Sequence, residues 1–192
     1  MLIVGLQGSP RLGGNCDILL DAALESAIEA GASVEKVQLG RLDAKACQAC
    51  DRCWQTGECV VQDGMQRVHR LLREADGIIL CSPIWFSGMS SHAKLAIDRC
   101  QCLWAESDRL GKPIGGGKKR YGGFIAVGGD EEAIFKNAVS EARAFFTAID
   151  VEVKGELLFP GVPGRGAIRS HPTAIADAKA LGTTIVSALV RA

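Results

Sequence analysis

Four cysteines lie close together in the sequence, at Cys47, Cys50, Cys53 and Cys59. The gaps between them are two, two and five residues, and Gly57 lies in the longest gap, where it lets the chain fold back. Thiolates separated by two residues converge on one centre, so this spacing indicates ligation of an iron–sulfur cluster. Structural zinc usually takes two separated pairs of cysteines, and thiols without any metal are the remaining alternative.

A second candidate site is the glycine-rich stretch at residues 8–16, which reads GSPRLGGNC. Ser9, Asn15 and the free amides at the start of a helix can donate hydrogen bonds to an anion, and Arg11 adds positive charge. The stretch lacks the Gly-x-Gly-x-x-Gly fingerprint in its proper register and the Gly-Lys-Ser/Thr ending of a nucleoside-triphosphate loop. It therefore predicts a site for a single phosphate. A strand-to-helix turn with an asparagine cap is the simpler alternative.

The elements that position these sites follow from the hydrophobic pattern. Amphipathic helical segments separate apolar runs at residues 2–6, 34–39, 77–81, 123–127 and 151–159. Because these runs are apolar throughout, they indicate strands of a parallel sheet that helices cover on both faces. Ligands bind such a doubly wound sheet at the carboxyl ends of its strands, which directs attention to the loops after the first, third and fourth runs. The length predicts one domain, residues 1–192, with a cysteine-rich loop at 45–62.

Four motifs resemble the NAD(P)H-dependent FMN reductase branch of the flavodoxin superfamily. They are Gly8-Ser9-Pro10-Arg11 with Asn15, Ala75-Asp76-Gly77-Ile78-Ile79, Ser82-Pro83-Ile84-Trp85-Phe86, and Lys94 to Ile97-Asp98-Arg99. The resemblance implies an α/β, flavodoxin-like fold with a doubly wound, five-stranded parallel sheet in the order 2-1-3-4-5. It also implies that the first loop holds the FMN phosphate through Ser9, Arg11, Asn15 and Cys16. Cys16 stands where the family usually has Ser or Thr, and a thiol is a weaker donor than a hydroxyl.

The other two loops are the predicted contacts of the flavin ring. After the third run, exposed amides can donate to the ring, and aromatic side chains supply apolar area; the residues are Ser82, Pro83, Ile84, Trp85, Phe86 and Gly88. An aromatic plug for the sheet edge is the alternative. After the fourth run, Gly128 and Gly129 bring the backbone close to the other ring edge, and a simple glycine turn explains them equally well.

The cysteine spacing in this context resembles that of the iron–sulfur flavoproteins, electron-transfer enzymes with one 4Fe-4S cluster and one FMN. The resemblance implies that Cys47, Cys50, Cys53 and Cys59 hold the cluster. It also implies an FMN oxidoreductase that moves electrons from NAD(P)H or a ferredoxin-like donor to a small acceptor. Hydride transfer to flavin needs no general acid or base, so no catalytic side chain is predicted. The alternatives are a plain NAD(P)H:FMN or quinone reductase without a cluster, and an electron carrier that is not an enzyme.

Composition limits the possible partners and location. The 22 basic residues balance the 22 acidic ones, which argues against a nucleic-acid protein with a broad cationic surface. No apolar run has the length of a membrane span, and no signal peptide is recognisable. Clustered cysteines without disulfides are typical of the cytoplasm. The family resemblance implies a homo-oligomer, a dimer or a tetramer, because its members commonly pair FMN sites across subunits.

Two loops carry weaker signals. Residues 109–120 form a basic, glycine-rich stretch that is a candidate for binding a nicotinamide phosphate or an acidic protein, with a solvated loop as the default. Residues 160–166 form a proline- and glycine-rich loop that is placed to close over a substrate or to pack at a subunit interface.

Overall fold

The computed structural model describes all residues from 1 to 192 and is built around one six-stranded sheet. The strands are β1 (Leu2–Gln7), β2 (Ser33–Gln38), β3 (Gly77–Trp85), β4 (Gly88–Met89), β5 (Tyr121–Val127) and β6 (Glu152–Phe159). Five of them are hydrogen-bonded in the order β2-β1-β3-β5-β6, and every pair in this series is parallel. The expected parallel sheet is therefore confirmed.

The strand count corrects the expected five-stranded sheet with order 2-1-3-4-5. β4 is an additional strand that turns back and pairs antiparallel with the end of β3, with Gly88 opposite Trp85. The turn residues Phe86 and Ser87 have φ angles of 49° and 61°, as a two-residue type I′ turn requires. Neither residue is the glycine or asparagine that usually marks such a turn. The hydrophobic pattern consequently predicted a loop at residues 82–88, where the structure has a strand end and a hairpin.

Helices cover both faces of the sheet. The α-helices are α1 (Asn15–Glu29), α2 (Cys53–Thr56), α3 (Met65–Glu74), α4 (Ser91–Arg99), α5 (Gln101–Trp104), α6 (Lys136–Ala148) and α7 (Ala174–Val190). Shorter 3-10 turns at Leu39–Arg41, Ile114–Gly117 and Ala167–Ser170, and a π turn at Ala105–Arg109, connect some of them. Ile3 of β1 packs in the core under α1 and α7, whereas Val4 and Leu6 pack in the core under α3, α4 and α6. This alternation produces the doubly wound sandwich.

The four clustered cysteines lie between β2 and α3, in a segment whose only α-helix is the single turn α2. Ala49 and Asp51 in this segment have positive φ angles, 50° and 55°. Gly57 ends α2 with a φ of 74°, so it provides the chain reversal before Cys59. The single domain over residues 1–192 with a cysteine-rich loop at 45–62 stays a prediction.

Candidate functional site

A cleft of about 230 Å³ opens at the carboxyl ends of β1, β3 and β5. Eight of the residues predicted to contact FMN line it: Ser9, Arg11, Asn15, Cys16, Pro83, Ile84, Trp85 and Gly129. The other four predicted residues, Ser82, Phe86, Gly88 and Gly128, lie outside its lining. The fold thus brings three loops that are distant in sequence to one place, as expected for a doubly wound sheet.

The first loop is held in shape by buried polar side chains beneath it. Gln7 accepts a hydrogen bond from the Ser9 amide and donates one to Asp17 (3.2 Å). Asp17 also accepts from the Gly13 amide (2.6 Å) and pairs with Lys36 (2.6 Å). Burial would raise the pKa of Asp17, but these hydrogen bonds, that of Lys36 first, lower it below its ordinary value. A charged Asp17 therefore fixes the loop.

Helix α1 begins at this loop without a side-chain cap. Its N-cap is Gly14, which offers no side chain to the first turn. The amides of Asn15 and Cys16 consequently have no acceptor within the helix. Exposed amides at the positive end of a helix dipole bind anions, and Arg11 lines the same part of the cleft. This end of the cleft is suited to a phosphate group.

The Asn15 side chain bonds backbone groups of its own chain, whereas the prediction was a contact with the FMN phosphate. Its nitrogen donates to the carbonyls of Val162 (3.2 Å) and Gly164 (2.8 Å), and its oxygen accepts from the Ile168 amide (3.3 Å). The side chain therefore fastens the loop between β6 and α7 to the start of α1. Asn15 can still offer its backbone amide to a phosphate.

Sequence reasoning missed an arginine that this fastened loop supplies. Arg165 lines the cleft and donates to the Leu12 carbonyl of the first loop. Arg165, Arg11 and Arg41 also surround a neighbouring opening, and none of the three pairs with a carboxylate. The available signal was the single arginine in residues 160–166, a loop for which closure over a substrate and packing at a subunit interface were both left open.

Ser82 supports the cleft from behind. Its side chain is fully buried, and its hydroxyl donates to the Pro83 carbonyl (2.9 Å) and accepts from the Ser90 amide (3.0 Å). The Ser90 hydroxyl in turn donates to the Gly8 carbonyl (2.6 Å). This chain of hydrogen bonds joins the carboxyl ends of β1 and β3, so Ser82 positions the two loops that line the cleft.

The hairpin that follows β3 separates the two predicted aromatic contacts. Trp85 lines the cleft and is 40% exposed. Phe86 lies at the tip of the turn and is 107% exposed, so it packs against nothing in its own chain. Gly88 pairs with Trp85 across the hairpin. Phe86 therefore does not form an aromatic plug at the sheet edge.

Gly128 and Gly129 differ although they are adjacent. The Gly128 amide donates to the Phe159 carbonyl (2.8 Å), its carbonyl accepts from the Val162 amide (2.9 Å), and an added Cβ would collide with the Ala133 methyl group. Gly129 lines the cleft, and its nearest obstacle is Pro163 Cα at 3.8 Å. Gly128 is thus required by packing, whereas Gly129 faces the ligand space.

The basic stretch at residues 109–120 is largely engaged in structure. Arg109 lies over the rings of Trp54 (4.6 Å) and Trp104 (5.4 Å). Lys118 pairs with Asp76 (2.6 Å). Arg120 is 2% exposed and donates to three backbone carbonyls. The stretch is therefore a poor site for a nicotinamide phosphate.

The four clustered cysteines line a second cavity, of about 320 Å³. Cys47 and Cys50 are exposed, and Cys53 and Cys59 are half-buried. No three His, Cys, Asp or Glu side chains are close enough to hold a single metal ion. Cysteine thiolates ligate both zinc and iron–sulfur clusters, so four of them around one cavity are chemically suited to either group.

The charges around this cavity also suit an anionic cluster. Arg99 lines it and donates to Cys59 Sγ (3.4 Å). Burial raises the pKa of Cys53, and the nearby Cys59, Cys47 and Cys50 raise it further. Cys102 lines the cavity as well, and burial raises its pKa to about 12, so it stays a neutral thiol.

Known proteins share this sequence pattern and fold. Residues 1–159 match the family model described as NADPH-dependent FMN reductase. An iron–sulfur flavoprotein of Methanocaldococcus jannaschii is 31% identical over 156 residues, which cover 81% of this chain and 77% of that protein. An iron–sulfur flavoprotein of Archaeoglobus fulgidus is 38% identical over 127 residues, which cover 66% of this chain and 54% of that protein.

The fold has solved counterparts. The structure of a flavone reductase matches with a TM-score of 0.74 at 22% identity and covers 99% of this chain and 63% of that one. At this identity the likeness shows the flavodoxin-like fold alone. None of the helices combines the length and the hydropathy that a bilayer crossing requires.

Proposed function

Since the chain belongs to the NADPH-dependent FMN reductase family and is an FMN-dependent oxidoreductase, we propose that it couples one FMN to one 4Fe-4S cluster. Electrons pass from NAD(P)H or a ferredoxin-like donor to a small acceptor. The observation that carries the proposal is that one chain has both a cleft with an uncapped helix at the strand ends and a cavity lined by four cysteines. FMN exchanges electrons singly or in pairs, so it can link a hydride donor to a one-electron cluster.

The phosphate of FMN is bound at the first loop in this proposal. Arg11 and the backbone amides of Asn15 and Cys16 donate hydrogen bonds to the phosphate, and Ser9 is the remaining contact from this loop. Arg165 adds a second positive charge beside the same loop. Because Gln7 and Asp17 already fix the loop, binding needs little reorganisation.

The flavin ring lies between the ends of β3 and β5 in this proposal. Pro83, Ile84 and Trp85 supply one wall and Gly129 the other. The protein binds and orients the ring and sets its potential through the backbone donors around it, and no side chain serves as a general acid or base.

The cluster is ligated by Cys47, Cys50, Cys53 and Cys59, which line the same cavity. Arg99 offsets part of the added negative charge. We also infer a reducing, cytoplasmic compartment, because the proposal requires these thiols to stay free of disulfides.

A homo-oligomer belongs to the same proposal. The fully exposed Phe86 stands at the hairpin tip beside the cleft, and a second copy of the chain covers it in the assembly we infer, a dimer or a tetramer. Light scattering on protein with intact cofactors measures this directly. A monomer would contradict it.

The proposed electron path is tested by mixing oxygen-free protein with NADH or NADPH and following the spectrum in time. We expect flavin bleaching by at least one of the two nicotinamides, followed by loss of cluster absorbance. Flavin bleaching without any cluster signal would indicate a plain FMN or quinone reductase. If neither nicotinamide reacts while a reduced ferredoxin does, the protein relays electrons from that donor and the nicotinamide arm of the proposal is wrong.

A further inference from the structure

One arginine of the cysteine cavity is buried far more deeply than its charge would predict. Arg99 ends α4 and is 1% exposed. A buried guanidinium is stable only where its donors are paired, so its partners show what it holds in place.

Those partners lie at the two ends of the cysteine-rich loop. Arg99 Nη1 donates to the Lys45 carbonyl (2.6 Å), just before Cys47, and Nη2 donates to the Val61 carbonyl (3.2 Å), just after Cys59. One side chain therefore joins the entry and the exit of the segment that contains all four cysteines. Gln66 also donates to the Val61 carbonyl, but it bonds only the exit of the loop.

Asp63 completes this connection. It accepts two hydrogen bonds from Arg99, at 2.6 and 3.1 Å, and one from the Lys45 amide at 2.9 Å. Burial would raise the pKa of Asp63, but the hydrogen bonds, that of Arg99 first, lower it to about 2. The carboxylate is therefore charged at neutral pH and orients the guanidinium through a bidentate ion pair.

Arg99 also faces the ligand sulfur and retains an unused donor. Its Nη2 donates to Cys59 Sγ (3.4 Å), and its buried Nε has no hydrogen-bond partner. A buried N–H without a partner is unfavourable. The same side chain lines the cavity, so a hydrogen-bond acceptor bound in the cavity lies close to the guanidinium.

We propose that Arg99 is a positioning residue for the iron–sulfur site: it ties the two ends of the cysteine-rich loop together and donates a charged hydrogen bond to the Cys59 sulfur. The inference rests on the proposed function, because it concerns the cluster placed at these cysteines. Two consequences follow. The loop is held in its ligating shape before the cluster enters, and the reduction potential of the cluster is raised by a positive charge and an N–H···S bond.

The test compares Arg99→Lys with a matched control, Arg120→Lys. Both arginines are fully buried and bonded to backbone carbonyls, but Arg120 lies away from the cysteines and bonds Leu72, Ala75 and Ile149. Both variants keep the positive charge and lose the planar guanidinium with its fixed set of N–H donors. Thermal unfolding of each variant shows how much stability the substitution removes at either place.

Three quantities are measured on oxygen-free protein: the rate of iron loss to a chelator, the midpoint potential of the cluster, and hydrogen exchange of the amides at residues 45–62. For Arg99→Lys we expect iron loss about tenfold faster, a more negative potential and faster exchange in the loop. Arg120→Lys is expected to keep the wild-type values of all three. If Arg99→Lys does not fold, Asp63→Asn, which weakens the anchor and leaves the guanidinium, is expected to speed iron loss and loop exchange in the same direction but less.

The outcomes separate this inference from the proposed function. If the wild-type protein holds iron and sulfide and the Arg99→Lys variant has the same potential and loop exchange, the proposed role of Arg99 is wrong. The cluster assignment is unaffected by that result. The role of Arg99 is also overturned if both lysine variants lose iron in proportion to their loss of thermal stability. Wild-type protein without iron and sulfide would overturn the cluster itself, and the role of Arg99 with it.

Discussion

The two candidate sites of this protein are built in different ways. The cleft at the strand ends is made by the fold: β1, β3 and β5 deliver their loops to it, and buried residues such as Gln7 and Ser82 fix those loops. The cysteine cavity lies on a segment with only one helical turn, and the Arg99 side chain from α4 joins the two ends of that segment. The first site is fixed by strand register, whereas the second depends on a few side-chain anchors.

This difference has a functional consequence. A site made by the sheet stays in place when one lining side chain is changed, so single substitutions there alter ligand affinity. A site held by anchors loses its shape when an anchor or a ligand is changed, so single substitutions there abolish binding. The predictions that follow test this contrast, from the largest expected effect to the smallest.

Replacing one cluster ligand should empty the cysteine site and leave the flavin site intact. We expect Cys50→Ser to reduce iron and sulfide to near zero while FMN per chain stays unchanged. Cys102→Ala is the control, because Cys102 lines the same cavity but is a buried thiol with a pKa raised to about 12. Metal analysis and the visible spectrum measure both. Equal loss of iron in the two variants would contradict the assignment.

The reverse experiment weakens the flavin site alone. Arg11 lines the cleft and pairs with no carboxylate, so Arg11→Ala should weaken FMN binding about 10- to 100-fold by removing a charged hydrogen bond. Riboflavin, which has no phosphate, serves as the internal control and should bind as it does to the wild type. Iron content should not change. A parallel loss of FMN and riboflavin affinity would show that Arg11 does not contact the phosphate.

Two adjacent glycines separate packing from ligand contact within the cleft. Gly128→Ala should lower the free energy of unfolding by about 2 kcal/mol, because the new methyl group collides with Ala133. Gly129→Ala has its nearest contact at 3.8 Å, so we expect a change in FMN affinity with little change in stability. Urea unfolding and flavin titration measure the two effects. If Gly129→Ala changes neither FMN affinity nor stability, Gly129 is not a ligand contact.

The last effect concerns pH and a buried histidine whose ring is hydrogen-bonded to the Arg99 carbonyl. His69 is fully buried, and burial lowers its pKa to about 4 from 6.5. Between these values the unfolded chain binds a proton that the folded chain does not, so stability is full above pH 6.5 and falls on acidification. From pH 7 to pH 5 the expected loss is about 2 kcal/mol.

The comparison with His69→Gln isolates this contribution, because glutamine cannot titrate and cluster loss at acid pH affects both proteins alike. Urea unfolding at the two pH values should show a shallower decline for the variant. Identical declines would mean that His69 is not the source of the proton-linked loss of stability.

The sequence predicted which loops meet at the cleft, because the signals for those loops are local. Apolar runs located the strands, and the glycines after β1 and β5 marked two of the loops. It predicted the hairpin wrongly, because Phe86 and Ser87 adopt positive φ without the residues that signal it. It also missed Arg165, because the hydrogen bonds that bring that loop to α1 join residues nearly 150 positions apart.

The cysteine site was predictable in composition but not in geometry. The spacing of the thiols indicates a cluster, yet the spacing alone contains no information on what holds the loop. The Arg99–Asp63 pair joins residues 36 positions apart in sequence, and only the fold brings them together. Arg99 entered the sequence argument solely as part of a family motif.

The central claim is that this chain holds FMN and a four-iron cluster, and the most direct test is chemical analysis. Protein purified without oxygen is assayed for flavin, iron, sulfide and zinc, together with its absorption spectrum. We predict about one FMN and about four irons and four sulfides per chain, with a broad shoulder beside the flavin bands. Flavin bands without iron or sulfide would contradict the claim and leave an FMN reductase whose clustered cysteines bind zinc or no metal.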